Sequence, residues 1–166
     1  FCRHFNFLHL SNRKHHRMGV APQASATNKP YFFEDLTTGL SATFSKTVIE
    51  ADIVAFAAIS GDTNPVHLDA AYAATTIFKQ RIAHGMLSVG FISAVFGTIM
   101  PGPGAIYVEQ NLKFKAPVKI GDTVTARVEV TGQIPDKKFV IFKTQCLVND
   151  KVVIDGDATL MVPTRG

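Results

Sequence analysis

The sequence predicts an α+β domain: one short strand and a helical stretch, then four longer strands, giving a five-stranded antiparallel sheet wrapped around a long helix. Three observations carry this. HGMLSVGFISAVFGTIM, residues 84–100, has large apolar side chains on nearly every side of a helix about 25 Å long. Downstream of it, hydrophobicity alternates with period two, the pattern of strands that bury one face. The chain has 166 residues, 46% hydrophobic and 18% charged, with no repeat and no internal linker, as befits a single domain with a real core.

Taken in order, FSKTVI at 44–49 reads as the short strand. EADIVAFAAIS at 50–60 reads as a helix because Ile53, Phe56, Ala57 and Ser60 recur at helical spacing, and Gly61 supplies its stop. Pro65 is expected to break any helix and to hold the next residues as a bent loop, after which DAAYAAT has room for a turn or two of helix. Residues 84–100 must be buried, being apolar all round. They are short for a membrane span, carry His84, Ser88 and Ser93, and lack flanking basic anchors, so no membrane partner is expected. Beyond PGPG at 101–104, Ile106, Val108, Leu112 and Phe114 are expected to share a face, as are Val124, Ala126, Val128 and Val130. Val140, Phe142, Cys146 and Val148 repeat the pattern, and Ile154, Ala158, Leu160 and Val162 close it, with turns at APVKIGD, PDKK and NDK. One sheet covers the long helix on one side only, so a second copy of the chain is expected to cover the other, as a homodimer.

The net charge of +4 is unevenly distributed. Residues 1–33 hold Arg3, Arg13, Lys14, Arg17 and Lys29 and no acid; without them the chain has 12 basic against 13 acidic residues, a net of −1. The body is therefore near neutral, which removes the case for a nucleic-acid partner. The basic, acid-free stretch 1–33 is set apart as a leader or tail, with the fold expected over 34–166; it fits an organelle-targeting segment or an extension upstream of Met18. Its His4, His9, His15 and His16 read as a polar tract rather than a metal site. Cys2 and Cys146 form neither a disulfide framework nor a metal-ligand spacing, which points to a reducing compartment: cytoplasmic, or the mitochondrial matrix if residues 1–33 are a transit peptide.

GDTNPVH at 61–67 sets an acid and an imidazole five apart around Asn64-Pro65. By itself the string leaves two readings open, a turn built from the usual turn formers or a reactive pair. IAHGMLS at 82–88 tips the balance, because a helix starting at Gly85 points unpaired N–H groups and the positive end of its dipole at whatever lies before it.

ISGDTNPVHLDAAYAA, FKQRIAHGMLSVGFISAVFG and MPGPGAIYVEQNLKFKAPVKIGDTV, in that order, resemble the MaoC-like dehydratases and (R)-specific enoyl-CoA hydratases of hot-dog fold. The resemblance spans about residues 44–163, and its most specific parts are D-x-N-P-x-H and the later H-G-M. It implies one hot-dog domain, two copies joined through their sheets, no metal and no cofactor. The implied substrate is an acyl-CoA or acyl-carrier-protein thioester, and the implied reaction is reversible syn addition of water to a trans-2-enoyl thioester, giving the (R)-3-hydroxyacyl thioester. The catalytic pair falls on Asp62 and His67, and the carbonyl-binding amide on Gly85. Such chemistry needs a proton acceptor and donor around one water, and a donor for the charge that collects on the thioester oxygen. Asn64 is expected to hold Asp62 or simply to make a turn before Pro65. Ser93 matches a position beside the pair and the acyl chain, and Phe96, one turn on, is expected in the core or at the limit of the acyl pocket. His84 is either a helix-start residue or a ligand, and Lys79 and Arg81 either meet coenzyme A phosphates or stay solvated.

Three other function classes stand beside this one. A hot-dog thioesterase uses the same helix-end amide but places its acid in the long helix, where residues 84–100 have no carboxylate. A non-catalytic acyl-binding module requires that Asp62 and His67 face away from the pocket, and a mononuclear metal site would use Asp62, His67 and His84.

Overall fold

Alternation in the second half of the chain builds one five-stranded antiparallel sheet in the computed structural model, which describes residues 30–166. The strands are β1 (Ser41–Thr47), β2 (Ile106–Phe114), β3 (Thr123–Ile134), β4 (Phe139–Val148) and β5 (Lys151–Met161), in the spatial order β1-β3-β4-β5-β2. Between β1 and β2 run the helices α1 (Glu50–Ser60), α2 (Pro65–Leu68), α3 (Ala70–Thr75) and α4 (Gly85–Thr98). This is the hot-dog architecture, with α4 packed across β1, β3 and β4. Val124, Ala126, Val128 and Val130 of β3 and Val140, Phe142 and Cys146 of β4 are all fully buried, as their alternation requires. They meet Ile92 and Val95 of α4, and side chains of this size contribute about 1.5–3 kcal/mol each on burial. Among the described residues no helix is long and apolar enough to cross a membrane.

Four local expectations are corrected. Strand β1 begins at Ser41 rather than 44, because Ser41, Ala42 and Thr43 continue the ladder against Glu129, Val128 and Arg127. Pro65 does not break a helix but starts α2, since a first helical position needs no N–H and suits the fixed φ of proline. The shared face assigned to Ile106, Val108, Leu112 and Phe114 is interrupted by a register shift between Tyr107 and Glu109. One extra residue there turns Tyr107 inward, edge-on to Phe96 at 5.3 Å, and leaves Ile106 outward and 53% exposed. Finally α4 is not buried all round: Met86, Gly90, Ser93 and Gly97 form a stripe exposed in the single chain.

The expectations for residues 1–29, including the four leader histidines and Cys2, lie outside the described residues. Residues 30–33, assigned with the leader, belong to the packed body. The N–H of Tyr31 donates to Pro101 O (2.8 Å) and that of Phe33 to Pro163 O (2.8 Å), and both side chains rest on the core.

Candidate active site

The site is assembled where α1, α2 and the start of α4 meet. Gly61 ends α1 in the left-handed region (φ 77°), a conformation that glycine adopts without strain, and turns the chain toward Asp62. The Asp62 carboxylate then accepts from Asn64 N–H (3.2 Å), and Asn64 Oδ1 accepts from Val66 N–H (3.2 Å), capping α2. This capped turn places His67 on α2 beside Asp62, with 4.0 Å between His67 Nε2 and Asp62 Oδ2. His67 is buried, whereas the Asp62 side chain is 52% exposed.

Two carbonyls set the tautomers. A carbonyl oxygen only accepts, so His67 Nδ1, 2.9 Å from Ile82 O, carries the proton and its Nε2 presents a lone pair toward Asp62. By the same reasoning His84 Nε2 donates to the Asp62 carbonyl (2.9 Å), which leaves His84 Nδ1 an acceptor, buried and without a partner among the described residues. The His84 ring lies between Phe56 and His67, with ring centroids 5.0 and 3.8 Å away. Arg81 ties the assembly together: its Nε donates to His67 O (2.6 Å) and its Nη2 meets Glu50 Oε1 (2.8 Å).

Beside His67 opens a cavity of about 510 Å³. Its walls come from Ile82, Ala83, Gly85, Met86 and Ser88, from Phe78 and from the segment Phe114–Val118 that begins with the last residue of β2, closed by Ile154. Backbone pairing fixes these walls: Ala83 N–H donates to Val118 O (2.7 Å), and Ile82 forms a bridge with Lys119. Gly85 opens α4 at the cavity, where the first N–H groups of a helix have no internal partner. A Cβ here would lie 2.6 Å from Cε1 of the Phe114 ring, so any side chain would have to displace that ring from the cavity wall. The lining is apolar apart from His67, Ser88, Lys115 and backbone amides.

The residues singled out from the sequence therefore separate. His67 and Gly85 line the cavity, and Asp62 stands next to His67 at its side. Asn64 acts as the cap that sets the turn, and His84 as the buried ring behind the pair. Neither Ser93 nor Phe96 lines this cavity in the single chain, and Phe96 takes the core place that was one of the two expected for it. Eight residues along α4 from Gly85 is about 12 Å of helix, and Ser93 sits exposed outside this cavity. Phe96 is core, edge-on to Tyr107 and to Phe142 (4.9 Å). Arg81 is held by Glu50 and the His67 carbonyl instead of being a free cation. Sequence reasoning missed Ser88 as a wall residue, although its spacing of three from Gly85 puts both on one side of the helix. It also missed Phe114, whose contact with Gly85 no local pattern announces.

A metal fits this geometry poorly. Ligand atoms of Asp62, His67 and His84 lie within 4.8 Å of one another. Yet the two imidazoles lie face against face, 3.8 Å between centroids and 31° between planes, and each has one ring nitrogen spent on a backbone carbonyl, His67 Nδ1 on Ile82 O and His84 Nε2 on Asp62 O.

A small-molecule cavity beside an acid–imidazole pair, at the amide end of the central helix of a hot-dog fold, defines a class, and comparison places the chain within it. Residues 30–153 match the MaoC like domain, and the chain belongs to that family. It is 65% identical over 136 residues to an (R)-specific enoyl-CoA hydratase of Rhodospirillum rubrum, covering 82% of this chain and 94% of that protein. To a 3-hydroxybutyryl-CoA dehydratase of Methylorubrum extorquens it is 48% identical, covering 81% and 85%. Among solved structures, the unliganded R-hydratase PhaJ1 of Pseudomonas aeruginosa superposes with a TM-score of 0.77 at 48% identity, covering 83% of this chain and 88% of that one.

Proposed function

We propose that the chain is an (R)-specific enoyl-CoA hydratase, a hydro-lyase that reversibly adds water across the double bond of trans-2-enoyl thioesters. The observation that carries the reading is the pair of acceptors, His67 Nε2 and Asp62 Oδ2, 4.0 Å apart beside the cavity. A water that donates both hydrogens at about 2.8 Å spans acceptors about 4.3 Å apart, so this spacing suits one shared water. That water is aimed at C3 of an enoyl chain lying in the cavity. His67 Nε2 takes one of its protons as the oxygen bonds to C3, and the Asp62 charge stabilises the imidazolium that forms. Electron density moves from the C2=C3 bond to the thioester oxygen, where the Gly85 N–H receives it. The imidazolium then returns the proton to C2 from the same face, which makes the addition syn and leaves His67 as it began.

Thioester hydrolysis has less support: α4 has no carboxylate to direct water at the carbonyl carbon. The test is crotonyl-CoA followed at its enoyl-thioester absorbance. Hydration lowers the absorbance and releases no free thiol; thiol release in step with that loss would establish hydrolysis instead.

The active form is a homodimer joined through β2. That strand ends the sheet and leaves Ile106, Val108 and Phe114 about half exposed, whereas the opposite edge, β1, shows water Ser41, Thr43, Ser45 and Thr47. An apolar edge invites strand pairing and a hydroxyl-rich one does not. Both acyl-CoA and acyl-carrier-protein thioesters suit the cavity, because the chemistry is common to them. The basic, acid-free composition of residues 1–29 supports delivery to the mitochondrial matrix, which a fluorescent fusion with and without those residues tests.

A further inference from the structure

We propose that the Ser88 hydroxyl donates a second hydrogen bond, alongside the Gly85 N–H, to the carbonyl oxygen of the bound thioester. The assignment rests on the hydratase reading of the cavity and adds a residue to it. Three helical hydroxyls bond back to their own helix, Ser60 Oγ to Phe56 O (2.6 Å), Thr75 Oγ1 to Tyr72 O (2.7 Å) and Thr98 Oγ1 to Ala94 O (2.7 Å), and Ser93 is exposed to solvent in the single chain. Ser88 does neither. It is fully buried, and its Oγ has no partner among the described residues. An unpaired buried hydroxyl is unfavourable, and packing alone would be served as well by alanine.

Its position explains what the hydroxyl is for. Ser88 lines the cavity one helical turn after Gly85, between apolar walls of Ala83, Val118 and Ile154. Side chains on a helix lean toward its N-terminus, so Ser88 Oγ overhangs the turn headed by Gly85, where the first N–H groups point the same way. Gly85 and Ser88 thus stand on one side of α4 and line the same cavity as His67. Ser88 is held there from behind, because the buried Cys146 thiol donates to its backbone oxygen at 3.4 Å. The other buried side-chain polar atom without a partner among the described residues is His84 Nδ1, one turn earlier, and it makes no bond with Ser88. A structural bond between those two is the rival role.

Butanoyl-CoA labelled with carbon-13 at the carbonyl separates the two roles, because it lacks the double bond and binds without turnover. Isotope-edited infrared spectra should show its carbonyl band at lower frequency on the wild-type protein than in water. In Ser88→Ala part of that shift should be lost, and in Ser88→Thr it should be kept. With crotonyl-CoA, kcat of Ser88→Ala should fall roughly tenfold or more, with KM little changed and most of the loss recovered in Ser88→Thr. Ser88→Cys, of similar volume and a weak donor, carries the same comparison if the alanine variant melts early. An unaltered carbonyl band in Ser88→Ala overturns the assignment, and a lower melting temperature with that unaltered band establishes the His84 role. A wild-type protein that polarises the carbonyl yet leaves crotonyl-CoA untouched would sink the hydratase reading while leaving the Ser88 bond in place.

Discussion

Replacing Asp62 by asparagine isolates the charge at the pair. Asparagine keeps the volume and an Oδ1 that accepts from Asn64 N–H, and the Asp62 carbonyl held by His84 is unchanged, so the turn survives. The oxygen 4.0 Å from His67 Nε2 becomes an NH₂ donor, leaving the water one acceptor where it had two. The imidazolium also loses its counter-charge. At this separation a unit pair is worth about 1 kcal/mol in water and about 4 kcal/mol at an effective dielectric near 20. With Asp62 half exposed, an intermediate value of roughly 2 kcal/mol is appropriate. Loss of water orientation adds to this, for a fall in kcat of on the order of a hundredfold or more. Folding stability should change by less than about 1 kcal/mol, as expected for an exposed position. Initial rates with saturating crotonyl-CoA, paired with thermal melting, measure both. An Asp62→Asn protein that melts normally and keeps kcat within threefold of wild type would refute the pair as the catalytic device.

Three further outcomes follow from packing, titration and assembly. Gly156→Ala should destabilise by roughly 3 kcal/mol, because its Cβ would lie 1.9 Å from Asn111 O and force β2 off β5; denaturant unfolding measures it. Burial pushes the Cys146 thiol up from 9.0 to about 12, so the folded state holds that proton more tightly than the unfolded chain. Its contribution to stability is therefore complete below pH about 9 and declines as pH rises toward 12, and the stability gap between wild type and Cys146→Ala should narrow over that window in denaturant titrations. Light scattering of the full chain should report a dimer or a multiple of one, and an aspartate at Val108 should shift it toward monomer; a wild-type monomer would contradict the role given to β2.

The long-range plan of the fold is legible because periodicity is a strong signal where one face is buried. Val124 to Val130 and Val140 to Cys146 alternate without interruption and pack as their spacing requires. Ile106 fails for a physical reason: a bulge inserts one residue, and nothing in IYVEQ marks where parity changes. At the site, the motifs single out Asp62, His67 and Gly85, and the fold brings His67 and Gly85 to one cavity with Asp62 beside His67. The bend between the pair is readable only in part, since the same Pro65 that interrupts a helix also starts one. Ser93 lies eight residues along α4 from Gly85 and outside this cavity in the single chain, whereas Phe96 takes the core position against Phe142 that its bulk predicts. Ser88 was within reach of spacing arithmetic, but its unpaired hydroxyl becomes visible only once its neighbours are placed.

Hydration and hydrolysis differ in where the water oxygen goes. Incubation with crotonyl-CoA in water enriched in oxygen-18, followed by mass and chiral analysis, should give (R)-3-hydroxybutyryl-CoA with the label on C3 alone. Label in a free carboxylate, or a racemic or (S) product, would contradict the hydratase reading.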